Sequence, residues 1–193
     1  MAGKQAKTLS HAQINTVLTY LTTTRHPARD RVMFLLSVKA GLRAKEIASV
    51  TWSMVSDAEG QVAEALHLED RAAKMRSGRT IPLNRELRAA LIELESIRRG
   101  RADAPVIYSE RGLGMSASTV AQWFHHLYRK LGFIGCSSHS GRRTFVTVAA
   151  RKVALVGGSL RDVQQLAGHR SLQMTAAYID GDADAKRKLV NLI

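Results

Sequence analysis

Cysteine is all but missing from this sequence. Cys136 is the single one in 193 residues, which excludes an intrachain disulfide and a cysteine-based zinc site and fits a reduced, cytoplasmic protein. Cys136 itself reads as a small, half-buried residue near a helix start. Proline occurs three times, and no Pro-Ser-rich linker or internal repeat divides the chain. One compact domain is therefore the economical reading, and 45% hydrophobic content is enough to give it a core. No apolar run approaches the roughly 18 residues of a spanning helix. The start, MAGKQAKTLS, is basic but lacks the apolar stretch of a secretory signal. Acidic side chains are also scarce, 16 against 29 Lys and Arg, for a net charge of +13. That excess implies attraction to polyanions, with nucleic acid first and an anionic membrane surface second. Metal motifs are lacking as well. There is no H-E-x-x-H, and His125 and His126 are adjacent, so on a helix they point in different directions.

What is present is mostly helical patterning, interrupted once. Ser10 caps a helix over about 10–22, with Ile14, Val17, Leu18 and Leu21 on one face. Pro27 suits a first helical turn, and the apolar pattern runs on to Gly41 as a stop. A short helix follows from about Arg43 to Val50. TWSMV, EALHLE and RTIPL read as short strands, the last two separated by the basic turn DRAAKMRSG. Helices return with NRELRAALIELESIRR, which ends at Gly100, and PVIYS is extended. Ser116 or Ser118 opens a helix through Trp123, Phe124, Leu127 and Leu131, and another spans about His139 to Val153. GGS at 157–159 breaks the pattern and caps the short helix LRDVQQLA, stopped by Gly168; Ser171 caps the next, and DADAKRKLVNL closes the chain as an amphipathic piece. The prediction is a mostly α protein with a small antiparallel β-sheet, α+β in class.

Within this frame a few side chains stand out. Tyr178 lies nine residues after His169 in GHRSLQMTAAYID. A free phenol ionises at about pH 10, so a tyrosine nucleophile needs a proton acceptor or an electropositive site. Taken alone, such a tyrosine is usually a core-edge residue. HSGRR puts His139 and Arg142 three residues apart at a helix start, where free backbone N–H groups also favour an anion. Arginine suits phosphate because its planar fork donates two parallel hydrogen bonds and stays charged. Arg143 is expected to point away from His139, toward backbone phosphate or solvent. Arg43 follows Gly41-Leu42 at a helix start, and Glu46, one turn on, is placed to hold it. Lys74, with Arg76 and Arg79, forms a basic patch in the turn between two strands. His169 alone would read as a helix-capping histidine. A phenol among cations with no metal motif suggests transesterification of a phosphodiester.

Together these segments resemble the catalytic domain of the tyrosine recombinase (phage integrase) family, from about Leu9 to Ile179. GLRAKEI is similar to the family's first arginine box, matching Arg43. Lys74, eight residues before Pro82 in KMRSGRTIP, resembles the β-hairpin lysine. HSGRRTF resembles the H-x-x-R box at His139 and Arg142, and LAGHRSLQMTAAYI the L-G-H…Tyr box, matching His169 and Tyr178. The resemblance implies that Tyr178 attacks a phosphodiester and leaves a 3′-phosphotyrosyl bond and a free 5′-hydroxyl. Arg43, Arg142 and His169 would hold the non-bridging oxygens, Lys74 would protonate the leaving oxygen, and His139 is the candidate base. Arg76, Arg79, Arg143 and Arg170 are candidate DNA contacts. No metal or other cofactor is implied.

The implied partner is double-stranded DNA, which would make the protein nucleoid-associated. A homotetramer on synapsed DNA, a free monomer, and accessory DNA-bending or directionality proteins come with the resemblance. The implied organisation is a tail over 1–9, a catalytic domain over 10–180, and a tail or helix over 181–193 exchanged between subunits through Leu189, Val190, Leu192 and Ile193. Most members carry an N-terminal clamp domain. With about nine residues ahead of the catalytic domain, the chain reads as a fragment or as a single-domain recombinase resembling the fimbrial inversion type. A type IB topoisomerase and a non-catalytic DNA-binding regulator are the competing readings.

Overall fold

Short polar side chains start most of the helices. In the computed structural model, which describes residues 6–72, 78–98, 100–178 and 190–191, the Ser10 hydroxyl accepts from the Gln13 amide while the Gln13 side chain accepts from the Ser10 amide. This reciprocal box satisfies two otherwise orphaned donors and opens α1 (His11–Leu21). Pro27 opens α2 (Pro27–Val38), where its missing N–H costs nothing. The helix stops at Val38, short of the expected Gly41, which sits at φ 66 and turns the chain toward α3 (Ala44–Ser49).

Helix α2 is the central rod. Val32, Met33, Phe34, Leu35 and Leu36 are all fully buried, each contributing about 1.5–3 kcal/mol by leaving water. Such all-round burial requires neighbours on every side. They are α1, α3, α4 (Arg85–Ile97) and α6 (Ser140–Lys152). The α6 crossing is close because Gly141 lies against α2: a Cβ there would come 2.3 Å from the Ser37 hydroxyl oxygen. That approach brings the next residue, Arg142, beside the end of α2. Helix α5 (Ala117–Lys130), capped by Ser116, buries Val120, Phe124, Leu127 and Tyr128 and packs on α3.

Two of the three expected strands form. β1 (Ala65–Leu68) pairs antiparallel with β2 (Arg79–Pro82), with Leu66 opposite Ile81 on the core side and His67 bonded to Thr80 at 3.1 Å outside. TWSMV is not a strand. Trp52–Met54 is a single 3₁₀ turn, and its amides bond to the loop at Ala102 and Ala104. Its apolar residues Trp52, Met54 and Val55 are all buried, so they do not alternate as a half-buried strand would. PVIYS, expected to be extended, instead bends at Val106 and Ile107 between isolated bridges at Thr51–Pro105 and Tyr108–Gly114.

A smaller second core lies beyond α6. Val146, Val163 and Ala167 join α6 to α7 (Leu160–Ala167), with Phe145 and Tyr178 packed against them. Ser159 and Asp162 box the start of α7, and Gly168 at φ 61 ends it in a left-handed cap. Ser171 then caps α8 (Leu172–Ala176). Of the closing piece DADAKRKLVNL and its apolar residues, only Val190 and Asn191 fall within the described residues. Among those described, no helix is long and apolar enough to cross a membrane.

Candidate active site

The site begins with one buried carboxylate. Glu46 on α3 has no exposure to solvent, and its two oxygens collect donors from two arginines. Arg43 donates its backbone N–H at 2.9 Å and Nη1 at 2.8 Å. Arg79 donates Nη1 at 3.3 Å and Nη2 at 3.1 Å from β2, and its Nε bonds the Leu166 carbonyl of α7 at 2.9 Å. Burial alone would raise the Glu46 carboxyl, but the hydrogen bond and charge of Arg79, with those of Arg43, hold it below the usual range. Glu46 therefore braces Arg43, as its position one turn on suggests. Arg79 does not belong to an outward basic patch. Its side chain is 6% exposed and faces the carboxylate.

Arg142 is fixed by backbone. Nη1 donates to the Gly41 carbonyl and Nη2 to the Ala167 carbonyl, both at 2.7 Å. The first lies in the turn that follows α2, and the second belongs to the last residue of α7, where a helix leaves acceptors without intrahelical donors. Burial first, then the charge of Arg43, pushes the Arg142 guanidinium down to about 10, so it remains a cation at neutral pH.

His169, just past the Gly168 cap, is also buried. Its Nδ1 lies 2.9 Å from the Thr175 hydroxyl oxygen. Burial, followed by the charges of Arg142, Arg43 and Arg79, pushes its imidazole down to about 4. It is neutral at pH 7. The Tyr178 ring stacks on the His169 ring, centroids 5.5 Å apart and planes inclined by 21°. Arg143 approaches the same tyrosine, its Cζ 5.7 Å from the ring centroid. The expectation that Arg143 points away from His139 is corrected. A residue four positions along a helix returns to nearly the same face, and both side chains line one cavity.

That cavity, of about 580 Å³, is bordered by Arg43, His139, Arg142, Arg143, His169 and Tyr178, with Cys136 at its wall. His139 is exposed at its mouth, at the N-terminus of α6. A second recess of about 280 Å³ adjoins it through His169 and carries Arg79, Arg161 and Arg170. Lys74 and Arg76 lie outside the described residues. Thr175 escaped the sequence reading; the available signal was its spacing, six residues after His169 and three before Tyr178.

Comparison with known proteins points the same way. The tyrosine recombinase XerC of Rhodospirillum centenum is 31% identical over 159 residues, covering 81% of this chain and 43% of its own length. XerA of Pyrococcus furiosus is 30% identical over 155 residues, covering 78% and 49%. The chain thus spans about half the length of these relatives. The Tn1549 transposon integrase, solved in complex with a circular intermediate DNA, superposes with a TM-score of 0.75 at 20% identity, over 100% of this chain and 67% of that one. The profile of the phage integrase family matches residues 7–184, which include every one of the boxes around Arg43, His139, Arg142, His169 and Tyr178, and the chain belongs to that family.

Proposed function

We propose that this chain is the catalytic domain of a site-specific DNA recombinase that works through a 3′-phosphotyrosyl intermediate. One observation carries the reading: Arg43, His139, Arg142, His169 and Tyr178, spread over 136 positions of sequence, line a single cavity. Family membership and the DNA complexes of fold neighbours support double-stranded DNA as the substrate.

The Tyr178 oxygen attacks the scissile phosphorus as its proton passes to His139. The P–O bond to the 5′ carbon's oxygen breaks, and that oxygen takes a proton from Lys74. The product is a 3′-phosphotyrosyl ester and a 5′-hydroxyl. A 5′-hydroxyl from another strand then attacks and gives its proton to the now neutral Lys74, the P–O bond to Tyr178 breaks, the phenolate regains its proton from His139, and the phosphodiester count is unchanged. No external energy source is needed.

The charge balance suits the pentavalent transition state. Arg43, Arg79 and Arg142 with Glu46 form a cluster of net charge +2, half-buried at Arg43 and more deeply set elsewhere. A phosphodiester brings one negative charge and its transition state two, so the attraction grows as the reaction proceeds. Neutral His169 adds a hydrogen bond without a further positive charge. Removing one preorganised donor of this kind costs about 10²–10³ in rate. Arg143 and Arg170 extend the cationic surface around the cavities and would contact the DNA backbone. Assembly of four subunits on paired sites, with 181–193 docking on a neighbour, completes the proposal.

The test is a suicide duplex carrying the attachment region that flanks the gene. Wild type should leave a protein–DNA band stable to denaturant. Tyr178→Phe should bind the duplex with unchanged affinity and leave none. An adduct persisting in Tyr178→Phe would refute the nucleophile, and relaxation of supercoils without strand exchange would turn the assignment to a topoisomerase.

A further inference from the structure

Thr175 occupies a position that the reaction scheme does not use. Its side chain is fully buried, and it sits on α8 three residues before Tyr178. Among the described residues its hydroxyl makes one hydrogen bond, at 2.9 Å to Nδ1 of His169. Its carbonyl accepts the Tyr178 amide at 3.1 Å. One residue thus touches both the histidine and the backbone of the nucleophile.

We propose that Thr175 is a positioning residue: its hydroxyl donates to Nδ1 of His169 and so fixes the neutral imidazole as the Nε2–H tautomer, leaving that N–H for the anion in the cavity.

The argument runs through proton accounting. A hydroxyl has one proton and two acceptor lone pairs, and a neutral imidazole has one N–H and one bare nitrogen. If Nδ1 carried the proton and donated to Thr175, the threonine proton would be buried with no acceptor among the described residues. An orphaned buried donor is costly. With the proton on Nε2, the threonine O–H points at the bare Nδ1 and both groups are satisfied.

The cavity makes the same choice. A bare nitrogen facing a phosphate oxygen would repel it, whereas Nε2–H donates. A protonated ring would supply two donors, but Arg43, Arg79 and Arg142 surround it and disfavour the extra charge. A neutral ring can serve an anion only in one tautomer, so something must select that tautomer. Thr175 is the only partner of Nδ1 among the described residues. Because the same residue anchors the Tyr178 amide, the histidine and the phenol are held in one frame, consistent with their stacked rings.

The identity of the anion as a scissile phosphate rests on the recombinase reading; the tautomer does not. Long-range proton–nitrogen NMR at pH 7 on histidine-labelled protein reads the tautomer directly, with His169→Gln assigning the resonances. Wild type and Thr175→Ser should show a pyrrole-type Nε2 and a hydrogen-bonded pyridine-type Nδ1. In Thr175→Val the Nδ1 signal should move downfield, toward an unbonded pyridine-type nitrogen. In single turnover on the suicide duplex, Thr175→Val should lose about ten- to a hundredfold in rate, the range typical when the partner orienting a functional histidine is removed. Its DNA affinity should hold, and Thr175→Ser should recover the rate. A pyrrole-type Nδ1 in wild type overturns the proposal, and it does so even if Thr175→Val fails to fold. So does a folded Thr175→Val with an unshifted Nδ1 or an undiminished rate. If wild type forms no adduct while the Nε2–H tautomer is present, the recombinase reading falls and the tautomer assignment stands.

Discussion

Glu46 and Arg79 are 33 residues apart in sequence and 3.1 Å apart in space, carboxylate against guanidinium, the first fully buried and the second nearly so. Through the Leu166 carbonyl the same guanidinium reaches α7. Arg43, the other partner of Glu46, is therefore held in place by the hairpin and by α7 as well as by its own helix. The placement of an arginine that lines the cavity thus depends on long-range assembly of the fold.

Glu46→Gln keeps the shape but removes the charge on which two arginines converge. Breaking a buried ion pair by neutralising one partner costs about 3–5 kcal/mol. Urea unfolding should show a loss in that range, together with slower adduct formation in the folded fraction. A loss below about 1 kcal/mol would mean that water reaches the carboxylate.

Gly41→Ala should be damaging at a distance from the chemistry. The position has φ +66, and a Cβ would lie 2.4 Å from the Phe145 ring. Left-handed strain at a non-glycine residue adds of order 1–3 kcal/mol to that clash. The Gly41 carbonyl also receives Arg142. The expected result is a lowered melting temperature plus a fall in adduct rate with DNA affinity nearly kept; a stable, fully active variant would contradict the packing.

Stability should fall with acidity in a window set by His169. Its folded value is depressed to about 4, against an unperturbed imidazole at about 6.5. Below about pH 6.5 the unfolded chain takes up a proton that the folded chain refuses, so the contribution is complete above that pH and drains away down to about pH 4. The slope approaches 1.4 kcal/mol per pH unit, to order of magnitude. Urea unfolding at several pH values should show this component in wild type and not in His169→Gln. Glu46 adds a separate loss at lower pH, where its carboxylate is finally protonated.

DNA binding should be strongly salt-dependent, with log K falling linearly in log salt by about 0.9 for each phosphate neutralised. Arg143→Ala should reduce that slope by roughly one contact. Arg79→Met should leave it unchanged in the folded fraction, because its guanidinium faces Glu46. Equal reductions from both would place Arg79 on the DNA.

Much of the scaffold was readable from local chemistry. Ser10, Ser159 and Ser171 cap the helices they were expected to open, and of the two candidates Ser116 and Ser118 it is Ser116 that caps α5; each works within four residues of chain. TWSMV misled because bulky apolar residues suit a buried 3₁₀ turn as well as a strand, and its hydrogen-bond partners lie about fifty residues away, at Ala102 and Ala104. Five residues that line the cavity, Arg43, His139, Arg142, His169 and Tyr178, were legible through the boxes they resemble. Their physical supports were not. Arg79 looked like one more surface cation because its carboxylate belongs to another element. Arg142 looked like a free fork, yet it is bound to two distant carbonyls. Thr175 carries no charge to mark it.

The two main-chain anchors of Arg142 also bear on how distant kin should be judged. A side chain that ties the end of one helix to the end of another stays useful after the reaction is lost, so a degenerate descendant would keep it for architecture. Among the described residues the ring at 178 packs against the small cluster around Val146 and Val163 and against the neighbouring His169 and Arg143 side chains; it ties no two helix ends together, so less would preserve it once chemistry ceased. Retention of the arginine in a sequence is thus poor proof of a working enzyme. Retention of the tyrosine is the better marker.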